Sequence, residues 1–221
     1  MTKNNKIKTP WPTKDAMAQI YKNNLWGGNK IEFYSGLGSH HPETVDEYIR
    51  VVSGFLKDLE IPPVVCDLGC GDFNIGKGLV KYTLRYTAVD IVPELIEHNK
   101  KQFQADHLEF HVLDIATDDL PKGDCAILRQ VLQHLSNEEI KRVVEKLYDF
   151  KYVILTEHLP EGNFEPNKDI ISGQGIRLKK QSGVDLLSSP FNLKIKEKIH
   201  LLSVPAPEFK GVLVTTLYKV K

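Results

Sequence analysis

Apolar residues along this chain follow two rhythms. Between residues 64 and 156, short and largely apolar runs alternate with longer stretches in which apolar positions recur every three or four residues. The short runs, Val64–Leu68, Tyr86–Ile91, Leu108–Leu113, Asp124–Leu128 and Tyr152–Thr156, read as buried strands bounded by turn residues. Between them, Pro93 to about Gln104 and Ser136–Phe150 carry helical spacing; the first has proline at an early position and the second opens on a Ser136/Glu139 capping box. Asn74–Tyr82, with Ile75, Leu79 and Tyr82 at i, i+4 and i+7, is expected to be a helix directly after the first strand. Upstream, Glu43–Leu59 aligns Val45, Tyr48, Ile49, Val52, Phe55, Leu56 and Leu59 on one face, and Thr13 is read as the cap of a short helix carrying Ala16, Met17, Ile20 and Tyr21. Strand–helix alternation with apolar strands predicts an α/β fold whose parallel sheet is covered on both faces.

After Glu157 the alternation stops. Residues 158–183 contain six glycines or prolines and read as a long functional loop. The short segment Val184–Leu187 ends at Ser189-Pro190-Phe191. Two alternating strands, Leu193–Leu202 and Val212–Val220, then close the chain across the proline-rich Val204–Pro207.

Candidate chemistry sits at the strand ends. In Asp67-Leu68-Gly69-Cys70-Gly71, two glycines allow a sharp turn and let the backbone approach a ligand. A dinucleotide fingerprint would want a third glycine where Asn74 stands and no acid where Asp67 stands. Asp90, followed by Ile91 at the end of the second strand, lies 19 residues after Gly71, near the ~20-residue offset at which an acid meets a ribose. The plainer role for Asp90 is capping the helix that begins at Pro93. Asp67, Asp90 and Asp114 thus fall near the ends of three successive strands, an acidic edge that suits a cationic ligand better than a pyrophosphate.

Composition narrows the partners. Lysine plus arginine balances aspartate plus glutamate, 29 against 29, so no global basic field gathers nucleic acid or anionic lipid. The three cysteines, Cys66, Cys70 and Cys125, have no metal-ligand spacing; Cys66 and Cys125 read as small core residues. No apolar run approaches the ~20 residues that span a bilayer. Met1–Thr9 is polar without the apolar core of a signal peptide, and a cytoplasmic location is expected.

The Asp67–Gly71 segment resembles the first motif of class I S-adenosylmethionine-dependent methyltransferases, commonly D/E-x-G-x-G-x-G, with Phe73 in place of the third glycine. The likeness covers residues 60–160. It implies a Rossmann-like three-layer sandwich with a mostly parallel seven-stranded sheet and an antiparallel C-terminal strand pair. It also implies S-adenosylmethionine as cofactor, lying across Asp67, Gly69, Cys70, Gly71, Asp90 and Ile91. In that family an acid at Asp114 bonds the adenine amino group beside an apolar side chain such as Ile115. Arg129-Gln130-Val131-Leu132-Gln133-His134 resembles the segment after the fourth strand, which puts Arg129 and Gln130 near the methionine end. His134, Glu157 and His158 are the candidate bases, with His134 first because its ordinary pKa suits neutral pH.

Residues 1–42 are read as an N-terminal helix and an aromatic and glycine-rich lid, with Trp26 or Tyr34 expected to be covered when the cofactor binds, and residues 43–221 as the methyltransferase domain. Leu25-Trp26-Gly27, Ser35–Ser39 and Gly183–Leu187 are similar to small bacterial methyltransferases of surface-glycan or secondary metabolism. The expected reaction is methyl transfer to an oxygen or nitrogen of a small-molecule or glycan-type acceptor; nucleic-acid substrates are disfavoured by the missing N-P-P-Y-like segment and the neutral charge. A nicotinamide oxidoreductase and a non-catalytic S-adenosylmethionine-binding protein are the alternatives.

Overall fold

The computed structural model describes residues 11–28, 33–206 and 210–221. The expectations for Met1–Thr9, for residues 29–32 within the lid and for Pro207 lie outside the described residues. The chain runs α1 (Thr13–Lys22), α2 (Pro42–Asp58), β1 (Val64–Leu68), β2 (Arg85–Asp90), α3 (Pro93–Gln102), β3 (Leu108–Val112), β4 (Cys125–Arg129), α4 (Asn137–Leu147), β5 (Tyr152–Leu159), β6 (Glu197–Pro205) and β7 (Val212–Lys219). The strands form one seven-stranded sheet in the order β3-β2-β1-β4-β5-β7-β6. Five strands are parallel, and β7 pairs antiparallel with both β5 and β6.

Alternation along the strands sends side chains into two cores. Cys66 and Leu68 of β1, Ala126 and Leu128 of β4 and Val153 and Leu155 of β5 face α1, α4 and the segment carrying Val184, Leu186 and Phe191. Val65, Cys125, Ile127 and Ile154 face α2 through Tyr48, Val52 and Leu56. Both cysteines are therefore core residues, and all three layers of the sandwich are present. The chain order reverses between β1 and β4, which leaves a crevice at the carboxyl ends of these strands.

Four local expectations change, the simplest being that β6 runs over Glu197–Pro205 rather than Leu193–Leu202 and so takes in Val204 and Pro205. Asn74–Tyr82 is not an α-helix but two short 3₁₀ turns, Gly76–Gly78 and Val80–Tyr82. Gly76 and Gly78 disfavour a helix, and a Cβ on Gly76 would lie 2.3 Å from the Phe73 ring. Phe73 takes φ +61° and is fully buried against Tyr86, Phe103 and Phe110. Its ring fills the core where the motif's third glycine would leave space. Thr13 does not cap α1; Pro12 is the N-cap, and the Thr13 hydroxyl donates to Glu139. The Ser136/Glu139 capping box forms as expected. Finally, β5 continues to Leu159, because eight residues pair with β7.

Candidate active site

A cavity of about 1040 Å³ opens at the carboxyl edge. Its walls include Asp67, Gly69, Cys70, Gly71, Asp90, Ile91, Asp114, Ile115, Arg129, Gln130, His134, His158 and Trp26. Of the site residues singled out in the sequence, Glu157 and Tyr34 do not line it.

The turn after β1 is built by backbone bonds. The amides of Gly69 and Cys70 both donate to the Val89 carbonyl at 2.9 Å. Gly69 has φ +88° and Gly71 φ +56°, and a Cβ on Gly71 would lie 2.4 Å from Ser35 Oγ. Asp90 holds the turn from below: Oδ2 accepts from the Gly71 amide at 3.1 Å and Oδ1 from the Val92 amide at 3.1 Å. Asp90 thus braces the turn that leads into α3 and shapes the glycine loop at once, while α3 itself, with Val92 at its N-cap, has no side-chain cap. Burial raises its pKa to about 6 against those two amide bonds. Asp67 accepts from Tyr86 Oη at 2.8 Å, and burial raises it to about 7. Asp114 accepts from the Ala116 amide at 2.8 Å, beside the buried Ile115.

A strap over residues 35–40 crosses the glycine loop and is fastened to it. The Ser35 amide donates to Asp72 Oδ2 at 2.8 Å, and the Asp72 amide returns a bond to Ser35 Oγ at 2.8 Å. His40 Nε2 meets the same carboxylate oxygen at 2.6 Å, and Asn74 Nδ2 donates to the Ser39 carbonyl at 2.7 Å. Arg129 reaches across from β4 and donates to the Gly38 carbonyl at 2.6 Å and to Ser39 Oγ at 3.1 Å. Its third bond is to Gln130 Oε1 at 3.0 Å, and its guanidinium lies over the Tyr48 ring. Trp26 stands beside Gly36, edge-on to Tyr21 and 5.1 Å from the His134 ring. Ser35, Asp72 and His40 were not singled out as site residues. The serine–glycine run marked the strap, but contacts between loops more than thirty residues apart leave no periodic trace.

Residues 66–150 match a family model described as "Methyltransferase domain". No curated protein matches the sequence. Among solved structures, the chain resembles the N-methyltransferase NodS from Bradyrhizobium japonicum WM9 in complex with S-adenosyl-L-homocysteine, with TM-score 0.64 and 11% identity over 93% of this chain and 99% of that one. It also resembles magnesium protoporphyrin IX methyltransferase (ChlM) from Synechocystis PCC 6803 with bound S-adenosylmethionine, with TM-score 0.60 and 16% identity over 96% of this chain and 99% of that one. A third likeness is to human N-acetylserotonin methyltransferase, with TM-score 0.56 and 18% identity over 95% of this chain and 60% of that one. At these identities the likeness is one of fold. Residues 66–150 are similar to a methyltransferase domain, and the chain shares the fold of these methyltransferases.

The candidate bases occupy different surroundings. His134 lies in the cavity wall with both ring nitrogens engaged. Gln133 Oε1 accepts from the His158 amide at 3.2 Å, which turns its Nε2 amide toward His134 Nε2 at 3.2 Å. His134 Nδ1 therefore carries the proton and donates to the Gly173 carbonyl at 3.0 Å. Burial lowers its pKa to about 4, so the ring is neutral near pH 7. His158 Nε2 donates to the Lys210 carbonyl at 2.9 Å. Glu157 is 2% exposed; its Oε1 accepts from the Leu132 amide at 3.1 Å, and its Oε2 is buried without a hydrogen bond. Burial raises it to about 8, with Arg177 pulling the other way. Arg177 is itself 1% exposed and donates to the carbonyls of Leu132 and Leu135, holding the post-β4 segment in place. Among the described residues, no group of three or more His, Cys, Asp or Glu could hold a metal ion, and no helix is long and apolar enough to cross a membrane.

Proposed function

We propose that the protein transfers a methyl group from S-adenosylmethionine to an oxygen or nitrogen of a small-molecule acceptor. The observation that carries this reading is the set of three carboxylates, Asp67, Asp90 and Asp114, gathered with the glycine turn on one cavity. When bound, S-adenosylmethionine supplies an electrophilic methyl on a sulfonium. Asp90 would take the ribose hydroxyls, since an ionised carboxylate makes strong hydrogen bonds. Asp114 and Ile115 would take the adenine, and Gln130 the methionine end. Arg129 has three donor contacts with the strap and its neighbour, so its part is to hold the cover rather than to touch the ligand.

The volume supports two occupants. Binding pockets for one drug-sized ligand span ~300–1,000 Å³, and this cavity of about 1040 Å³ runs beyond the acid cluster to Pro160, Ile176 and Leu213. Catalysis would rest chiefly on alignment and exclusion of water. His134, neutral and doubly bonded, would act as a wall against Trp26; it takes a proton at Nε2 only after Gln133 turns aside. A thermal-shift comparison tests the reading. At 100 times its dissociation constant, S-adenosylhomocysteine adds ~2.7 kcal/mol to folding, whereas NAD at the same concentration is expected to add nothing. Stabilisation by NAD alone would favour an oxidoreductase.

A further inference from the structure

Resting on the methyltransferase reading, we infer that Asn99 is a positioning residue for the cofactor, acting from α3 through the Gly71–Asp72 peptide that joins the glycine turn to the strap. The buried stripe of α3 carries Leu95, Ile96 and Asn99, so an amide stands where helical spacing calls for another apolar residue. Asn99 is 0% exposed and is not part of the cavity wall. Its Nδ2 donates to the Gly71 carbonyl at 2.7 Å, with Cys70 Sγ at 4.0 Å from the same nitrogen. A carbonyl accepts only from a donor, which fixes the orientation of the side-chain amide. That orientation leaves Oδ1 buried without a hydrogen bond among the described residues. An orphaned acceptor of this kind is costly, and leucine would avoid it. The bond to Gly71 is what the asparagine supplies in return.

That bond orients more than one group. The peptide between Gly71 and Asp72 is planar and trans, so its carbonyl and its N–H point in opposite directions. With the carbonyl drawn toward α3 by Asn99, the Asp72 amide points the other way and donates to Ser35 Oγ at 2.8 Å. The preceding amide, that of Gly71, donates to Asp90 Oδ2 at 3.1 Å. Gly71, at φ +56°, has no Cβ to limit its rotation, and these three bonds select one conformation for it. Asp90 and Asn99 therefore grip Gly71 from both sides, one from the end of β2 and the other from α3, and Ser35 takes up the next amide. Gly69 and Cys70 are held separately, by the Val89 carbonyl. Without the Asn99 amide the Gly71–Asp72 peptide can turn. Such a turn would shift the surface that meets the cofactor and the anchor of the strap together, and would leave the first half of the turn in place.

The test uses full-length wild type, Asn99→Leu and Asn99→Asp, with calorimetric titration of S-adenosylhomocysteine and amide exchange of the ligand-free chains. Leucine exchanges one orphaned acceptor, Asn99 Oδ1, for another, the Gly71 carbonyl, so the melting temperature should move by less than about 4 °C. S-adenosylhomocysteine should nonetheless bind about tenfold more weakly to Asn99→Leu. The Asp72 amide should exchange about tenfold faster, while those of Gly69 and Cys70 keep their rates. Asn99→Asp separates positioning from packing. Its carboxyl donates to the Gly71 carbonyl only when protonated, and burial keeps it protonated above the usual carboxylate range. This variant should bind S-adenosylhomocysteine within about threefold of wild type at pH 6 and about tenfold more weakly than wild type at pH 9. Asp90 and Cys70 on the turn and His98 and Lys100 beside it on α3 are common to both proteins, so the ratio removes their own titration. Unchanged affinity or unchanged Asp72 exchange in Asn99→Leu, acceleration spread evenly over Gly69, Cys70 and Asp72, an Asn99→Asp deficit equal at both pH values, or failure of either variant to fold would each overturn the inference. Failure of wild type to bind S-adenosylhomocysteine would instead strike the methyltransferase reading, and exchange at Asp72 then still tests the grip on the turn.

Discussion

Replacing Asp72 by alanine should release the strap without unfolding the sheet. The Asp72 side chain is 8% exposed and accepts from the Ser35 amide at 2.8 Å, from His40 at 2.6 Å and from the Asn74 amide at 3.2 Å. Bonds to an ionised acceptor contribute ~1.5–3 kcal/mol each. The His40 side chain is 26% exposed, so its share is screened and counts for less. Taken together the change costs about 2–4 kcal/mol, most of it from orphaning the Ser35 amide. If that cost falls on local opening, the open fraction rises by roughly 30- to 1,000-fold. Amide exchange at Ser39, His40 and His41, whose N–H groups bond to Gly36 and Leu37 within the strap, reads this directly. Exchange there should accelerate by that factor while β1 and β4 keep their protection, and S-adenosylhomocysteine should bind about tenfold more weakly. Burial would raise the Asp72 pKa, but the bonds from His40, Ser35 and Asn74 outweigh it and hold it below the ordinary value of 3.8. The latch is therefore intact above that value and is lost as pH falls through the depressed one. Strap exchange unchanged within threefold, with a lowered melting temperature for the whole protein, would refute an independently opening cover.

Three further outcomes follow from the site. Phe73→Gly restores the third glycine of the motif, yet it should destabilise: relief of the left-handed backbone returns ~1 kcal/mol, against ~3–5 kcal/mol for an emptied aromatic site. Calorimetric melting should fall by about 5–15 °C, and a rise would mean the ring is not part of the core. His134→Asn is expected to lower single-turnover methyl transfer by less than about tenfold, because the ring is neutral and bonded at both nitrogens; a loss of ~10²–10⁴ would show it is a base. Asp90 and Asp67 have raised pKa values, about 6 and about 7, so the folded protein holds protons there that the unfolded chain has released. The ligand-free protein should lose stability as pH climbs from about 4 to about 7. S-adenosylhomocysteine, bonding the ionised Asp90, should bind roughly tenfold more weakly at pH 5 than at pH 7.5, and Asp90→Asn should flatten that profile; an unaltered profile would remove Asp90 from the contact.

The strands were legible because burial on both faces leaves a run of apolar residues that nothing else in a neutral chain explains. The acids at their ends were legible for the same reason, since a strand end fixes the edge on which its last side chain sits. Asn74–Tyr82 has helical apolar spacing, but Gly76 and Gly78 oppose the helix, and Phe73 looks like a loop residue in the sequence although its ring packs in the core. The extra length of β5 came from β7, a partner more than fifty residues away. His134 looked suited to base work by its ordinary pKa; the Gly173 carbonyl and Gln133 amide that occupy it come from surroundings that no local pattern encodes.

The central claim is that one cavity seats S-adenosylmethionine across the glycine turn, Asp90 and Asp114. A crystal structure of the full chain grown with saturating S-adenosylhomocysteine addresses it in one step. The account predicts ribose hydroxyls within ~2.5–3.2 Å of Asp90, the adenine against Ile115 with its amino group toward Asp114, and the homocysteine beneath the strap near Gln130. An empty cavity at saturating ligand, or an adenosyl group seated anywhere but between Asp90 and Asp114, would contradict it.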